Sequence, residues 1–229
     1  MPISIRRLSR TVLNTIAKIL WVLLLAAVVI WYGFFRTGNE ATYAVEHIEF
    51  DLAQEIYGNN SAAQTHGTGP IAVVLYSNYL CPFCRELWNN LDTVIRDDST
   101  SLTINLRHLV RPIRGNPAYL AALGAECAGD QGRFSTFHRI ALASQDHLST
   151  VSIDELARQA DIPDLPRFSA CVNGEVHKSR IAATLIEAQY LSLIGTPAMV
   201  VDQRLITGTP GLLELRELLS PGSQTAWMN

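Results

Sequence analysis

A buried strand that runs directly into two closely spaced cysteines is the feature that most restricts the fold of this chain. Residues 71–77, IAVVLYS, form a short apolar run rich in β-branched residues, which indicates a buried strand. Cys81 and Cys84 follow in the sequence CPFC, and Pro82 suits the first turn of a helix. Apolar residues alternate again over 101–110, so this region predicts a right-handed parallel βαβ unit.

A long stretch without strand signals follows this unit. We predict an all-helical insertion over about 116–193, with helices at 117–129, 131–144, 152–160, 164–172 and 175–193. Two short strands are then expected at 198–202 and 204–207, and a last helix at 211–219. The expected fold class is α/β, with one domain over 67–220 interrupted by the insertion and a tail over 221–229.

An apolar run near the N-terminus predicts a membrane anchor. Residues 19–35 are 17 consecutive residues without a charge. As a helix they would span roughly 26 Å, close to the bilayer's hydrocarbon thickness of about 30 Å. A cleaved signal peptide or a buried core helix are the alternatives, but bulky residues follow the Ala pair where a cleavage site would lie. We therefore predict an uncleaved transmembrane signal-anchor at 19–35 behind a basic leader at 1–18.

The distribution of charge predicts the orientation of this anchor. Four basic residues precede the run and one, Arg36, follows it directly, so the positive-inside rule places the leader in the cytoplasm. The expected location is the inner (cytoplasmic) membrane, single-pass, with the catalytic domain on the extracytoplasmic or periplasmic side. Residues 37–229 carry 13 basic and 21 acidic side chains, a formal charge of 13 − 21 = −8. Such an acidic domain predicts no nucleic-acid partner.

Residues 36–66 are expected to form a juxtamembrane helix and a linker. Apolar residues recur at roughly helical spacing over 40–57, which favours a short helix there. Residues 58–70, GNNSAAQTHGTGP, are polar and rich in glycine, which is typical of a linker.

The cysteine pair is expected to be a dithiol–disulfide centre. A helix N-terminus carries partial positive charge and lowers the pKa of a thiol placed there, which is the position of Cys81. Cys84 lies one turn further on the same face. This spacing makes Cys81 an accessible attacking thiol and Cys84 a buried resolving thiol, as exchange chemistry requires. A zinc half-site and two inert thiols are the alternatives.

The two remaining cysteines argue against zinc. Cys127 and Cys171 are single and widely separated, which is no closed tetrahedral pattern with the CPFC pair, so no metal site is predicted. In an oxidising compartment they would form a structural disulfide, contributing about 4 kcal/mol in the chain-entropy model. Two buried free thiols and a second, electron-relaying pair remain open as alternatives.

Several segments together resemble a known family. VVLYSNYLCPFC, followed by RHLV, ALGAECAGDQGRFSTFH, ACVNGEV and LIGTPAMVVD, is similar to the DsbA-like branch of the thioredoxin superfamily in its membrane-anchored form. The resemblance covers about 67–220 and implies a thioredoxin fold with a helical insertion. It also implies that Cys81 is the nucleophile and Cys84 the resolving thiol. Pro197 would be a cis-proline beside them, and Thr196 would offer backbone hydrogen bonds to an extended client segment.

The sequence departs from that family at positions that tune the chemistry. Strong oxidases of this branch have His after the Pro between the cysteines, where this chain has Phe83 next to Pro82. We therefore expect a higher thiolate pKa and a less oxidising couple. Leu75 and Asn78 stand where the family commonly has acidic residues, so a carboxylate that could carry the resolving thiol's proton is missing. Thr196 occurs in isomerase-like as well as oxidase-like relatives and leaves the direction open.

The expected function is an extracytoplasmic thiol–disulfide oxidoreductase that exchanges disulfides with exported, cysteine-containing client proteins. Thiol exchange requires no metal or organic cofactor, but a redox partner must reset the pair, and the resemblance suggests a quinone-linked membrane protein for an oxidase. A disulfide reductase or isomerase of the same fold is one alternative. A non-enzymatic, membrane-tethered client-binding module is the other.

Overall fold

The computed structural model describes residues 10–36, 43–48, 64–66, 69, 71–97 and 102–220. The chain divides into two compact units, Met1–Thr42 and Tyr43–Asn229. The first contains helix α1 (Arg10–Arg36), whose described side chains from 18 to 31 are exposed. Among the residues that the structure describes, no helix combines the length and the apolar character needed to cross a membrane. The anchor predicted at 19–35 lies within α1 and is not shown by the structure.

The second unit is a mixed α/β domain. Its strands are β1 (Tyr43–His47), β2 (Gln64–His66), β3 (Ile71–Ser77), β4 (Leu102–His108), β5 (Ala198–Val201) and β6 (Arg204–Gly208). Its helices are α2 (Pro82–Arg96), α3 (Pro117–Gly129), α4 (Phe134–Ala143), α5 (Ile153–Gln159), α6 (Leu165–Asn173), α7 (Lys178–Tyr190) and α8 (Leu212–Leu218), with a 3₁₀ turn at Gln145–His147. The predicted helical insertion is confirmed as α3 to α7, between β4 and β5.

The strands form one sheet in the order β1-β6-β5-β3-β4-β2. β3 and β4 pair in parallel, from Ile71 opposite Leu102 to Ser77 opposite His108, with α2 as the connection between them. The predicted βαβ unit is therefore confirmed. The other pairs in the sheet are antiparallel. The arrangement places the carboxyl end of the central strand β3 next to the N-terminus of α2.

The central strand is apolar throughout because it is covered on both faces. Val73 and Leu75 belong to the large core that includes residues of α2 and the insertion, whereas Val74 and Tyr76 belong to a smaller core on the opposite face. Alternate side chains of a strand point to opposite faces, so both halves of the alternation must be hydrophobic here. The run IAVVLYS thereby fixes β3 in the middle of the sheet.

The helix predicted over 40–57 is wrong where the structure describes it. Residues Tyr43–His47 form β1, which pairs antiparallel with β6. Tyr and Val suit a strand, and the free edge of β6 supplies backbone partners that outweigh the approximate helical spacing. The remainder of that predicted helix, apart from Ile48, lies outside the described residues.

The linker predicted over 58–70 also needs correction. Gln64–His66 forms β2, which pairs antiparallel with the outer edge of β4. The ordered domain therefore includes strands that precede residue 67, the start predicted from the sequence. Both corrected strands lie at the edges of the sheet, where the partner strand, and not local composition, decides whether a short segment becomes a strand.

A disulfide joins two helices of the insertion. Cys127 of α3 and Cys171 of α6 are bonded, with their Cα atoms 6.0 Å apart. The sequence left open whether these residues were bonded or free, and the structure shows them as a covalent cross-link. The cross-link is separate from the CPFC pair, both of whose cysteines are free thiols.

Candidate active site

The turn that leads from β3 to the first cysteine is shaped by Asn78. Its side-chain oxygen accepts a hydrogen bond from the backbone of Leu80 at 2.9 Å, and its amide donates to the carbonyl of Leu109 at 3.0 Å. The backbone N–H of Cys81 donates to the Asn78 carbonyl at 3.0 Å. Asn is suited to such turns because its short side chain bonds to nearby backbone. Asn78, which stands where the resembled family commonly has an acidic residue, therefore positions the cysteine motif.

The two thiols have different surroundings. Cys81 is the N-cap residue of α2 and is half-buried, whereas Cys84 lies inside the first turn and is only 2% exposed. The Cys81 thiol donates to the backbone carbonyl of Thr196 at 3.2 Å, and the N–H of Asn78 donates to the Cys84 sulfur at 3.4 Å. The bond between Thr196 and Pro197 is cis. The structure thus brings together all four residues to which the sequence assigned catalysis or client binding.

Hydrogen bonds to its sulfur lower the pKa of Cys81 to about 6. The largest cause is a hydrogen bond from the Cys84 thiol, followed among the favourable causes by one from the Thr196 side chain and by the backbone N–H groups of Cys84 and Phe83. Burial acts in the opposite direction. The Thr196 carbonyl also favours the neutral thiol of Cys81, because a carbonyl can only accept a hydrogen bond. The donors around the sulfur outweigh this effect, and the pKa of Cys81 is lowered.

The pKa of the second thiol, Cys84, shifts in the opposite direction. The hydrogen bond to Cys81 and burial raise the pKa of Cys84, so Cys84 keeps its proton while Cys81 is a thiolate.

The lowered pKa of Cys81 also links the stability of the reduced protein to pH. An unfolded thiol has a pKa of about 8.5, so this stabilisation is fully present above that pH and is lost as the pH falls through about 6.

The residues that depart from the family pattern leave the thiolate only moderately stabilised. The Phe83 ring is 60% exposed, and the favourable contact of this residue with Cys81 is its backbone N–H. Pro82, also exposed, opens α2 and has no N–H to donate. Leu75 lies in the apolar core at 1% exposure, so it brings no carboxylate beneath the thiols. A pKa of about 6 lies between the roughly 8.5 of an ordinary thiol and the roughly 3.5 of DsbA.

A buried glutamine that the sequence did not single out supports the motif from the insertion. The amide of Gln145 donates to the backbone carbonyls of Tyr79 and Cys81, at 2.8 Å each. Gln145 is only 7% exposed and lies on the 3₁₀ turn that follows α4. It is separated from its two partners by 66 and 64 residues, so no local pattern could identify it. It is a positioning residue that holds the turn on which Cys81 sits.

A cluster of aromatic rings and histidines lies in the core behind α2. The Tyr79 hydroxyl is 2.6 Å from Nδ1 of His138, and the His138 ring meets Trp88 edge-on at 4.2 Å between centroids. His108 stacks on Tyr79. Burial lowers the pKa of both histidines, so they are neutral in this core. His108 and His138 are both buried, whereas His147 is exposed.

Among the residues that the structure describes, the candidate site contains no cluster of metal ligands. Within the part of the chain that the structure describes, neither Cys81 nor Cys84 belongs to a group of three or more His, Cys, Asp or Glu side chains with ligand spacing. The arrangement instead offers a reactive sulfur and a protonated sulfur one turn apart. It can form and break disulfides without a bound group.

The fold and the thiol pair define a thioredoxin-like protein. A family model described as Thioredoxin matches residues 54–220. The chain belongs to the thioredoxin family.

Solved structures show the same fold. A thioredoxin-like oxidoreductase from Silicibacter pomeroyi has 23% identity, with 76% of this chain and 98% of that chain covered, and a TM-score of 0.62. The thiol-disulfide exchange protein α-DsbA2 from Wolbachia pipientis has 22% identity, 74% and 94% coverage and a TM-score of 0.61. ScsC from Proteus mirabilis in a compact conformation has 16% identity, 95% and 98% coverage and a TM-score of 0.64.

Two curated relatives match part of the chain. They are the Na(+)/H(+) antiporters NhaA 3 from Salinispora tropica and NhaA 1 from Salinispora arenicola, each 33% identical over 138 residues. The match covers 59% of this chain and 20% of each relative. The chain thus spans about a fifth of the length of these curated relatives, and the transport activity in their names is a property of those proteins.

The depressed pKa of Cys81 predicts the pH dependence of its reactivity. Iodoacetamide reacts with the thiolate, so alkylation of the reduced protein should rise about tenfold between about pH 5 and pH 7 and then level off, with a midpoint near pH 6. Mass spectrometry of time points at each pH gives the rate. The Cys81→Ser variant, which retains Cys84, should stay nearly unreactive over this range. A midpoint above pH 8 would contradict the assigned thiolate.

Replacing Gln145 tests its positioning role. Gln145→Met keeps the length of the side chain but removes the amide N–H groups. The hydrogen bonds to the carbonyls of Tyr79 and Cys81 are therefore lost. We expect a loss of about 1–3 kcal/mol in the free energy of unfolding, and an alkylation midpoint for Cys81 shifted to higher pH. Denaturant titration and the alkylation assay measure the two effects. The matched control, the exposed Gln159→Met, should change stability by less than about 0.5 kcal/mol. Unchanged stability and midpoint in Gln145→Met would remove this role.

Proposed function

We propose that this protein is a thiol–disulfide oxidoreductase that exchanges disulfides with exported, cysteine-containing client proteins through its CPFC motif. The observation that carries the proposal is the pairing of a half-buried Cys81, whose pKa is lowered to about 6, with a buried, protonated Cys84. Cys81 can attack a client disulfide or, when oxidised, be attacked by a client thiolate, and Cys84 can displace a client sulfur that is bound to Cys81. This division of roles is what exchange through a mixed disulfide requires.

In the oxidising direction the motif starts as the Cys81–Cys84 disulfide. A client thiolate attacks the Cys81 sulfur, which forms a mixed disulfide and releases Cys84 as a thiolate that takes up a proton. A second client thiolate then attacks the client sulfur of the mixed disulfide. The client leaves with a new disulfide and Cys81 leaves as the stabilised thiolate, so two electrons pass from the client to the motif.

In the reducing or isomerising direction the Cys81 thiolate attacks a client disulfide. One client sulfur leaves as a thiolate and takes up the proton that Cys84 loses, and the Cys84 thiolate then attacks the Cys81 sulfur to release the client. The loop containing Thr196 and the cis Pro197 supports client binding in either direction. Its Thr196 carbonyl lies 3.2 Å from the Cys81 sulfur, so a client segment joined to that sulfur would pass close to this backbone.

The thiolate pKa bears on the direction of exchange. A stabilised thiolate stabilises the reduced motif and makes the disulfide more oxidising. With a pKa of about 6 for Cys81, we expect a reduction potential between the roughly −270 mV of thioredoxin and the roughly −120 mV of DsbA. A redox partner must then reset the motif, and a quinone-linked membrane protein would serve an oxidase.

The potential and a trapping experiment together test the proposed activity. Equilibration of the motif with glutathione buffers, read by alkylation and mass spectrometry, gives the potential, and a value near about −270 mV would favour a reductase over an oxidase. Cys84→Ser should accumulate a mixed disulfide between Cys81 and a client, visible on non-reducing gels. Cys81→Ser should trap nothing. Retained cellular function in Cys81→Ser would favour the non-enzymatic client-binding alternative.

We further propose that the domain works outside the cytoplasm, tethered to the inner membrane by residues 19–35. The disulfide between Cys127 and Cys171 supports an oxidising compartment, since such bonds are rare in the cytosol. The charge-free run behind a basic leader supports the tether.

Fractionation of cells that express the full chain tests this location. We expect the chain in carbonate-washed membranes, with the second unit cut by protease added from the extracytoplasmic side. Replacing three leucines of the run, Leu23, Leu24 and Leu25, by Asp should release it from the membrane, because charges at a span's centre are strongly disfavoured. A full chain that stays in the cytosolic fraction with Cys127 and Cys171 reduced would refute both the compartment and the tether.

A further inference from the structure

Four metal-ligating side chains meet around the disulfide of the insertion. The ligand atoms of Cys127, Cys171 and His177 all lie within 4.8 Å of one another. Asp130 lies beside this group, since its Oδ2 is 2.7 Å from Nε2 of His177 and 3.9 Å from the Cys171 sulfur, although it is not within 4.8 Å of all three ligand atoms. Cysteine sulfur, imidazole nitrogen and carboxylate oxygen are the donor types that bind zinc. This group shares no residue with the CPFC motif.

The fold holds these side chains on fixed supports. Cys127 lies within α3, and Asp130 is the C-cap residue of the same helix. Cys171 lies within α6, and His177 is the N-cap residue of α7. Side-chain exposure is 11% for His177 and 35% for Asp130, whereas Cys127 is buried at 1%. The group is therefore closed towards the core and open towards solvent on one side, where an ion and a reductant can enter.

We propose that reduction of the Cys127–Cys171 disulfide converts this group into a Zn²⁺ site with the ligands Cys127, Cys171, His177 and Asp130. In a tetrahedral zinc site, ligand-to-metal distances of about 2.0–2.3 Å place the ligand atoms roughly 3.3–3.8 Å apart. The separation of 3.9 Å between Asp130 and Cys171 already suits this geometry. The separation of 2.7 Å between Asp130 and His177 must open by about half an ångström.

The conversion needs a dithiol reductant. One of its thiolates attacks the sulfur of Cys171, the less buried of the two residues, breaks the S–S bond and releases the Cys127 thiolate. The second thiolate of the reductant attacks the reductant sulfur of the mixed disulfide and releases the Cys171 thiolate. The reductant becomes a disulfide and the protein gains two electrons. Zn²⁺ then binds the two thiolates, displacing whatever protons they have taken up.

The consequence is that one cross-link can replace another between the same elements. The disulfide ties α3 to α6, and a zinc ion would tie α3, α6 and the start of α7. The helical insertion, which supplies Gln145 to the active site, would thus stay fixed after reduction. Asp130 stands three residues after Cys127 and His177 six residues after Cys171, but only the packing of α3 against α6 and the start of α7 brings these two halves of the site together.

Zinc binding by the full chain tests the site directly. The Cys81→Ser/Cys84→Ser variant removes the competing thiols and leaves this group intact. After reduction by a phosphine and its removal, we expect one Zn²⁺ per chain in competition with a chromophoric chelator, and sulfur-to-metal charge-transfer absorption with Co²⁺. The same variant with the disulfide intact should bind neither ion. His177→Ala should weaken binding at least about tenfold, and Asp130→Ala should also weaken it. The exposed His147→Ala is the matched control and should bind as the parent does.

Each other outcome decides against the site. Absence of Zn²⁺ binding by the folded, reduced variant overturns the proposal, as does binding that His177→Ala and Asp130→Ala both leave unchanged. If the reduced variant unfolds, Zn²⁺ should restore its circular dichroism spectrum, and failure to do so overturns the proposal as well. The result is independent of thiol exchange, since both CPFC cysteines are absent from the protein tested.

Discussion

The exchange chemistry proposed for this protein depends on the interaction between the thiols of Cys81 and Cys84. When Cys84 donates to the Cys81 sulfur, the negative charge is held on the accessible sulfur and the proton on the buried one. The first turn of a helix imposes this arrangement, because the N-cap residue faces the unpaired N–H groups while the residue three positions later faces inwards. The strand before the helix adds the Asn78 N–H to the Cys84 sulfur. Local backbone geometry therefore sets the roles of two chemically identical side chains.

The helical insertion contributes to this geometry as well as to the core. Gln145 bonds to the turn before α2, and His138 contacts both Tyr79 and Trp88, which lie on either side of the motif in the chain. The neutral state of His138 suits this role, because a charged imidazole would be unfavourable among aromatic rings in the core. The site is thus supported from two sides, by the sheet through β3 and by the insertion through α4 and its following turn. A change in the insertion can reach Cys81 without touching it.

The sequence predicted the elements that are determined locally. The strand at 71–77 and the helix at 117–129 were predicted with the bounds that the structure shows, Ile71–Ser77 and Pro117–Gly129. In the helix, Asn116 caps the first turn and proline opens it, so the start is written in the local sequence. Edge strands β1 and β2 were missed because their pairing depends on distant strands. Gln145 was missed for the same reason, since it meets its partners only through tertiary packing.

The two cysteine pairs show how one chain can separate reactive from cross-linking sulfur. Cys81 and Cys84 are neighbours on one helix, and donors around Cys81 favour its thiolate, so the reduced state of this pair is stabilised in the folded protein. Cys127 and Cys171 are joined across 44 residues with one sulfur in the core, and folding itself brings them together. The folded chain therefore favours opening of the first pair and closure of the second. Packing of α3 on α6 holds the two sulfurs of the second pair close together, so a reductant that opens this pair must compete with its re-closure.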